Sequence, residues 1–353
     1  MPQPIQRSAY PRARFVTLSV LVSLILAAVS ILMPRPSWPQ AQQSQNPPTT
    51  QQQQQQGQFK IGIEVNMVTV PVTVRKPAGG FIKGLPKSAF HITEDGEQQE
   101  ILTFAQEGVP TRIALVLDIS GSVRQEWGTI KSATRKFVEN LKPEDEFSIV
   151  TFNTETRLKM DWGHKADRLD DVLSSIYCKD NTNLWDTIYV VAHDLFKGIT
   201  DKKAMIIMSD GLDNNSSVSF KDALDAGVHS EAALYVVSKT QAVREHYLYE
   251  LHQQGVYAGI PEQEFMQADL ALRKLAYETG GRVLYPNNFG QLDNVYAEVD
   301  EELRNQYSLG YISTKVAKDG SYRKIEVAVD APGAAVSARP GYYAPNQLPS
   351  VKK

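Results

Sequence analysis

Asp118, Ser120 and Ser122 stand at alternate positions in one short turn, directly after the apolar run 113–117 and ahead of a helical pattern. Two hydroxyls and a carboxylate at that spacing are hard oxygen donors of the kind a small divalent cation takes. Gly121, between the serines, is expected to permit the tight turn. Two further oxygen-rich turns follow: Asn181-Thr182-Asn183-Leu184-Trp185-Asp186, and Met208-Ser209-Asp210-Gly211-Leu212-Asp213 at the end of the apolar run 204–208. Any one of them could be an ordinary strand-ending turn, or a helix N-cap with Ser122 bonding a free backbone N–H. Three, each at its place in an alternating strand and helix pattern, point to a metal site rather than a nucleotide site.

No catalytic constellation competes with them. His246 and His252 lack the His-Glu-x-x-His spacing of a zinc protease, and His91, His164, His193 and His229 are scattered. Neither a Gly-x-Ser-x-Gly elbow nor a phosphate loop occurs. No Lys or Arg is expected at the three turns to hold a phosphate, the nearest being Arg124, read as a solvated first-turn residue.

The elements that must position these turns alternate over 111–304. Strands are expected at 113–117, 147–152, 204–208, 234–237 and 281–284, and helices at 125–141, 168–177, 184–196, 220–230, 262–279 and 291–302. Such alternation implies an α/β fold, a doubly wound and mainly parallel sheet with helices on both faces, and open sheets of this kind carry their ligands at the carboxyl ends of the strands. On either side the chain has strand character. In 59–110, residues 61–67 alternate and 68–74 alternate in the opposite phase, which suggests a bulge or a strand crossing between sheets. Residues 89–93 lead through Glu94-Asp95-Gly96 into 100–104, a hairpin signal. In 305–345, strands are expected at 306–313, 322–329 and 336–338, with a tail at 346–353. Three short strands make a poor independent domain, so the two flanks are expected to pair into one β-sandwich-like domain with the α/β domain inserted in it.

The three turns, in this order, resemble the metal-ion-dependent adhesion site (MIDAS) of the von Willebrand factor type A (VWA) domain. The layout of 59–345, including Glu94-Asp95-Gly96, Gln306-Tyr307-x-Leu309-Gly310-Tyr311 and Arg339-Pro340-Gly341-Tyr342, is similar to a bacterial family of VWA-related proteins known chiefly from acidobacteria. The resemblance implies that Ser120 and Ser122 bind the cation directly, that Thr182 binds it directly or through a water, and that Asp118 and Asp210 hold coordinated waters. One coordination position is left for an acidic side chain of a partner protein. Three neutral hydroxyls leave the ion with positive charge for that carboxylate, and Mg²⁺, which keeps its waters, is the expected ion, with Mn²⁺ or Ca²⁺ as alternates.

Charge and address complete the reading. The 353-residue chain is 42% hydrophobic with a formal charge of −3. Its first 41 residues hold four Arg and no acid, so the body carries 33 basic against 40 acidic side chains, which argues against nucleic acid as a partner. After the basic start, residues 15–33 carry no charge, so 1–33 is expected to be a signal peptide or an N-terminal membrane anchor, the only contact with a membrane. The body then lies outside the cytoplasm, whether periplasmic, at the cell surface or secreted. Residues 34–58, rich in Pro and Gln, are expected to be a disordered linker that reaches at most ~80 Å at polyproline-like extension. Cys178 is the sole cysteine, so no internal disulfide forms, and it is expected to be a passive buried thiol. The function expected is that of a protein-binding module and not an enzyme. Two alternatives are a magnesium-dependent hydrolase of a phosphorylated substrate that uses Asp118, and an envelope component whose cation only staples the loops.

Overall fold

A computed structural model describes residues 67–106, 109–164, 168–178, 181–241 and 261–346. The export segment and the linker expected at 1–58 lie outside the described residues, as do 61–66, His246 and His252. Among the described residues no helix is long and apolar enough to cross a membrane.

The α/β part is a six-stranded sheet built from β5 (Thr111–Asp118), β6 (Glu146–Phe152), β7 (Thr156–Gly163), β8 (Lys202–Ser209), β9 (Ala233–Ser238) and β10 (Arg282–Leu284), in the order β10-β9-β8-β5-β6-β7. All neighbours are parallel except β7, which runs antiparallel to β6 at one edge. β5 shows why continuous apolar runs make central strands: its side chains go alternately to two cores. Ile113, Leu115 and Leu117 pack beneath α1 (Trp127–Asn140), α2 (Leu169–Ser174) and α6 (Leu292–Asn305). Ala114 and Val116 pack beneath α3 (Leu184–Val190), α4 (Phe220–Ser230) and α5 (Glu262–Glu278). A strand covered on both faces needs no polar alternation.

The flanks supply two antiparallel four-stranded sheets. One has the order β13-β1-β11-β4, from β13 (Ala335–Ala338), β1 (Met67–Arg75), β11 (Tyr307–Ile312) and β4 (Ile101–Ala105). The other has the order β14-β12-β2-β3, from β14 (Gly341–Tyr343), β12 (Tyr322–Val329), β2 (Phe90–Glu94) and β3 (Glu97–Gln99). Each sheet mixes strands from before and after the α/β part, and the ladders β1–β11 and β12–β2 join them. Val68, Val70, Val72 and Val74 of β1 point inward onto Phe90, Ile92, Tyr307 and Leu309 to form a third core.

Several expectations are adjusted. The hairpin turns sooner than expected: Asp95 and Gly96 both take positive φ (48° and 85°), a two-residue turn suited to the strand twist, so the return strand is β3, and the chain then leaves for the other sheet as β4. The edge strand β7 was not foreseen, nor was β14. The helix expected at 168–177 is α only over Leu169–Ser174. That at 184–196 is α to Val190 and then widens into a π-turn over Val191–Leu195, closed by Phe196 N–H donating to Val191 O at 3.1 Å.

Candidate metal centre and the lysine within it

Asp118 is the last residue of β5, and Asp210 follows the last residue of β8. Each uses one carboxylate oxygen to fix its own turn. Asp118 Oδ1 accepts from Ser120 N–H at 2.8 Å, and Asp210 Oδ1 accepts from Leu212 N–H at 3.1 Å. The other oxygen of each is left to face a common point. Ser120 Oγ and Ser122 Oγ lie 3.0 Å apart at that point. The loop of Thr182 is latched to the loop after β8: Thr182 N–H donates to Asn214 Oδ1 at 3.0 Å, and Asn214 N–H returns a bond to Thr182 O at 3.2 Å. Asp213 Oδ1 accepts from Leu184 N–H at 2.7 Å, capping the start of α3 from a neighbouring loop, and Asp186 Oδ1 takes the N–H groups of Ser217 and Val218 at 2.9 and 2.7 Å.

Ser120, Ser122, Thr182 and Asp210 line one concavity, with Asn214 and Glu264 at its border. Asp118 stands behind them, fully buried. Neither serine follows the ordinary N-cap pattern, since Ser120 makes no side-chain cap bond and α1 begins after Glu126 with none. Gly121 has ordinary negative φ and open space at its Cβ, so the turn does not depend on glycine there. The glycine with a geometric task is Gly211, at φ +77°, where a Cβ would come within 2.9 Å of Ala268 O on α5.

The expectation that no Lys or Arg reaches these turns is overturned by Lys239. The β8–β9 register sets Ser209 against Ser238, so Lys239, one residue further, emerges beside Asp210. Its N–H donates to Ser209 O at 3.1 Å, and the side chain, 2% exposed, runs into the cluster. Nζ lies 2.6 Å from Ser122 Oγ, 2.8 Å from Asp118 Oδ2, 3.2 Å from Asp210 Oδ2 and 3.4 Å from Ser120 Oγ. Asp118 Oδ2 receives no aligned hydrogen bond, so its tie to the ammonium is an ion pair alone. A lysine after a strand ordinarily sits in solvent; what brings Lys239 here is the pairing of β9 with β8, which no local feature of the sequence marks.

Burial by itself would depress the Lys239 ammonium, but the charges of Asp118 and Asp210 outweigh it and hold lysine above its ordinary range. Burial raises Asp210, partly offset by Lys239. The carboxyl groups of Asp118 and Asp210 thus share a single ammonium. The donors fit a divalent cation: the hydroxyl residues Ser120, Ser122 and Thr182 and the carboxylate of Asp210 line one concavity, with the Asp118 carboxylate behind them. Among the described residues no group of three or more His, Cys, Asp or Glu side chains is placed to hold a metal ion.

The remaining candidates are peripheral. Arg124 donates to Cys178 O at 3.2 Å from an exposed position. Cys178 is half-buried against the first core, and burial followed by the charge of Asp118 pushes its thiol up to about 11, which suits an inert group. His91 and His193 pair with Asp330 and Asp194 at the surface, and His229 stacks on Tyr343.

The family model of the von Willebrand factor type A domain matches residues 113–275. No curated protein matches the chain. Among solved structures, proximal thread matrix protein 1 from the mussel byssus is 15% identical with a TM-score of 0.41, covering 55% of this chain and 48% of that one. This chain thus spans about half the length of the mussel protein, another structure of which carries a zinc-occupied MIDAS motif. An aerotolerance-related membrane protein from Bacteroides fragilis is 15% identical with a TM-score of 0.41, covering 56% of this chain and 98% of that one. A von Willebrand factor type A protein from Catenulispora acidiphila is 12% identical with a TM-score of 0.43, covering 80% and 75%. With strand-end oxygens gathered on a doubly wound sheet and the family model matching over that same sheet, the chain contains a von Willebrand factor type A domain at residues 113–275.

Proposed function

We propose that this VWA domain is a protein-binding module, exported or tethered at the cell surface, that captures an Asp or Glu side chain of a partner at a divalent cation. The observation that carries the reading is the convergence of Ser120, Ser122, Thr182 and Asp210 on one concavity with Asp118 behind them. Ser120, Ser122 and Thr182 would hold the ion, and Asp118 and Asp210 would orient its waters. The bound ion would supply the positive charge that a partner carboxylate recognises. Placement outside the cytoplasm is supported by the basic start of the chain and the uncharged run 15–33.

The hydrolase alternative has less support. The Lys239 ammonium is buried and enclosed by Asp118, Ser120, Ser122 and Asp210, which leaves it poorly placed to hold a phosphate, and the buried Asp118 carboxylate is poorly placed to meet a substrate. The test is calorimetric titration of the chain with Mg²⁺, followed by capture from envelope extract in magnesium and in chelator, with Ser122→Ala as control. Capture should need both the ion and Ser122. Undiminished capture in chelator would refute the reading.

A further inference from the structure

Four oxygens, from Asp118, Ser120, Ser122 and Asp210, stand 2.6 to 3.4 Å from one nitrogen, Nζ of Lys239. Three of these residues also line the concavity in which the ion would sit. An ammonium held by these oxygens and a metal ion held by the same oxygens would fall within a few ångströms of each other as like charges, and the two cannot share the position. The lysine is no stray surface chain: its backbone is bonded to β8, and its side chain is 2% exposed.

We propose that Lys239 is a tethered cation occupying the metal position of the adhesion site, and that a divalent ion enters only by expelling its ammonium. The inference rests on the reading of this concavity as a metal site and adds how that site is regulated. With Lys239 in place, its side chain is 2% exposed and its ammonium is enclosed by the four oxygens, so it is not open to an incoming carboxylate. An acidic partner then meets no open cation at the concavity. With a divalent ion in place a partner carboxylate would meet a cation at the concavity, and the displaced lysine would add positive charge beside it. Lysine-filled is therefore the closed state and metal-filled the open one. The divalent concentration at which the site opens is set by competition with a group the protein itself carries.

The test uses the full chain and Mn²⁺, read by electron paramagnetic resonance, in parallel for the wild type, Lys239→Met and Lys239→Gln. Removing a like charge a few ångströms away should tighten Mn²⁺ binding by at least about tenfold. In the wild type, amine acetylation followed by mass spectrometry should find Lys239 protected in chelator and modified once Mn²⁺ is bound, a readout that a lysine merely near the site would not give. A wild type that binds no Mn²⁺ beside a variant that does is the extreme form of the same competition and supports it. Equal affinities, or Mn²⁺ bound to the wild type with Lys239 still protected, would overturn the inference and leave the metal reading intact. If neither the wild type nor the variants bind Mn²⁺, the inference and the metal reading fall together.

Discussion

Tyr311 donates its hydroxyl to Glu94 Oε2 at 2.8 Å, joining residues 217 positions apart in sequence inside the sandwich core. Tyr342 donates to the same oxygen at 3.0 Å, while Ser313 and Arg323 donate to Oε1 at 2.6 and 3.2 Å. Glu94 is fully buried, and a carboxylate there is tolerable because its acceptor capacity is met. Tyr311→Phe should cost about 1–3 kcal/mol by leaving an acceptor short of a donor. Glu94→Gln should cost about 3–5 kcal/mol, because it strips Arg323 of its charge partner and turns an amide toward other donors. Urea denaturation of each variant checks both; a neutral Glu94→Gln would show that the cluster does not hold the sandwich together.

Glu302, at the end of α6, is the matching node where the sheets of the flanks meet the α/β part. Its Oε2 takes Arg75 of β1 and Arg282 of β10, both at 2.5 Å, with the carboxylate 3% exposed. Glu302→Ala is expected to destabilise by about 3–5 kcal/mol. It should also split a single calorimetric transition into two, since this contact couples the sandwich to the domain inserted in it. One unshifted transition would rule that coupling out.

Lys202 gives the protein an alkaline stability profile. Its ammonium donates to Leu303 O at 2.5 Å, and burial, partly offset by Asp145, lowers its pKa to about 8. Between about pH 8 and 10.5 the unfolded chain therefore binds more protons at this position than the folded one, so stability rises with pH across that window. The full penalty, on the order of 3 kcal/mol, applies below pH 8. Urea midpoints measured across the window should climb in the wild type relative to Lys202→Met, with the two profiles diverging; parallel profiles would contradict the assignment.

Substituting Asp118 should affect folding as well as binding. Asp118→Ala leaves Lys239 with one carboxylate and Ser120 N–H without its acceptor, so a loss of about 3–5 kcal/mol is expected in chelator. Asp118→Asn keeps an oxygen for Ser120 and should lose less. Added Mg²⁺ should recover little of either loss, because metal affinity falls roughly ten- to a hundredfold with a displaced outer ligand. Thermal melts with and without Mg²⁺ decide this, and an Asp118→Ala protein as stable as the wild type would refute it.

The site oxygens were legible because their position at strand ends is a property of local pattern: an apolar run stops, and polar residues with short side chains begin. Lys239 was not legible. Its placement depends on β9 lying beside β8, a fact of topology, and a lysine after a strand carries no local mark of being drawn inward. The edge strand β7 was missed for a related reason. Its Arg157, Lys159 and Asp161 suit an edge, where charge deters further pairing, and so break the apolar pattern by which strands are found. The pairing of the flanks was legible in outline because neither could satisfy its own strand edges. The division of 97–105 between two sheets was not, since it hangs on a two-residue turn and one crossing residue, Glu100.

The insertion of the α/β domain between β4 and β11 also sets a clock on biosynthesis. Among the described residues the ladders of β1 run to β11 and β13, and Glu94 waits 217 residues for Tyr311. At about 5–20 residues per second, that is roughly 10 to 40 s in which Val68, Val70 and Val72 stand on an unpaired strand. The parallel core of β5, β6 and β8 draws on nearer neighbours and can close first, bringing the ends of its chain together. The nascent protein thus passes through a stage with a finished interior domain and a sticky, half-built shell, which is the stage at which a holding chaperone would matter most.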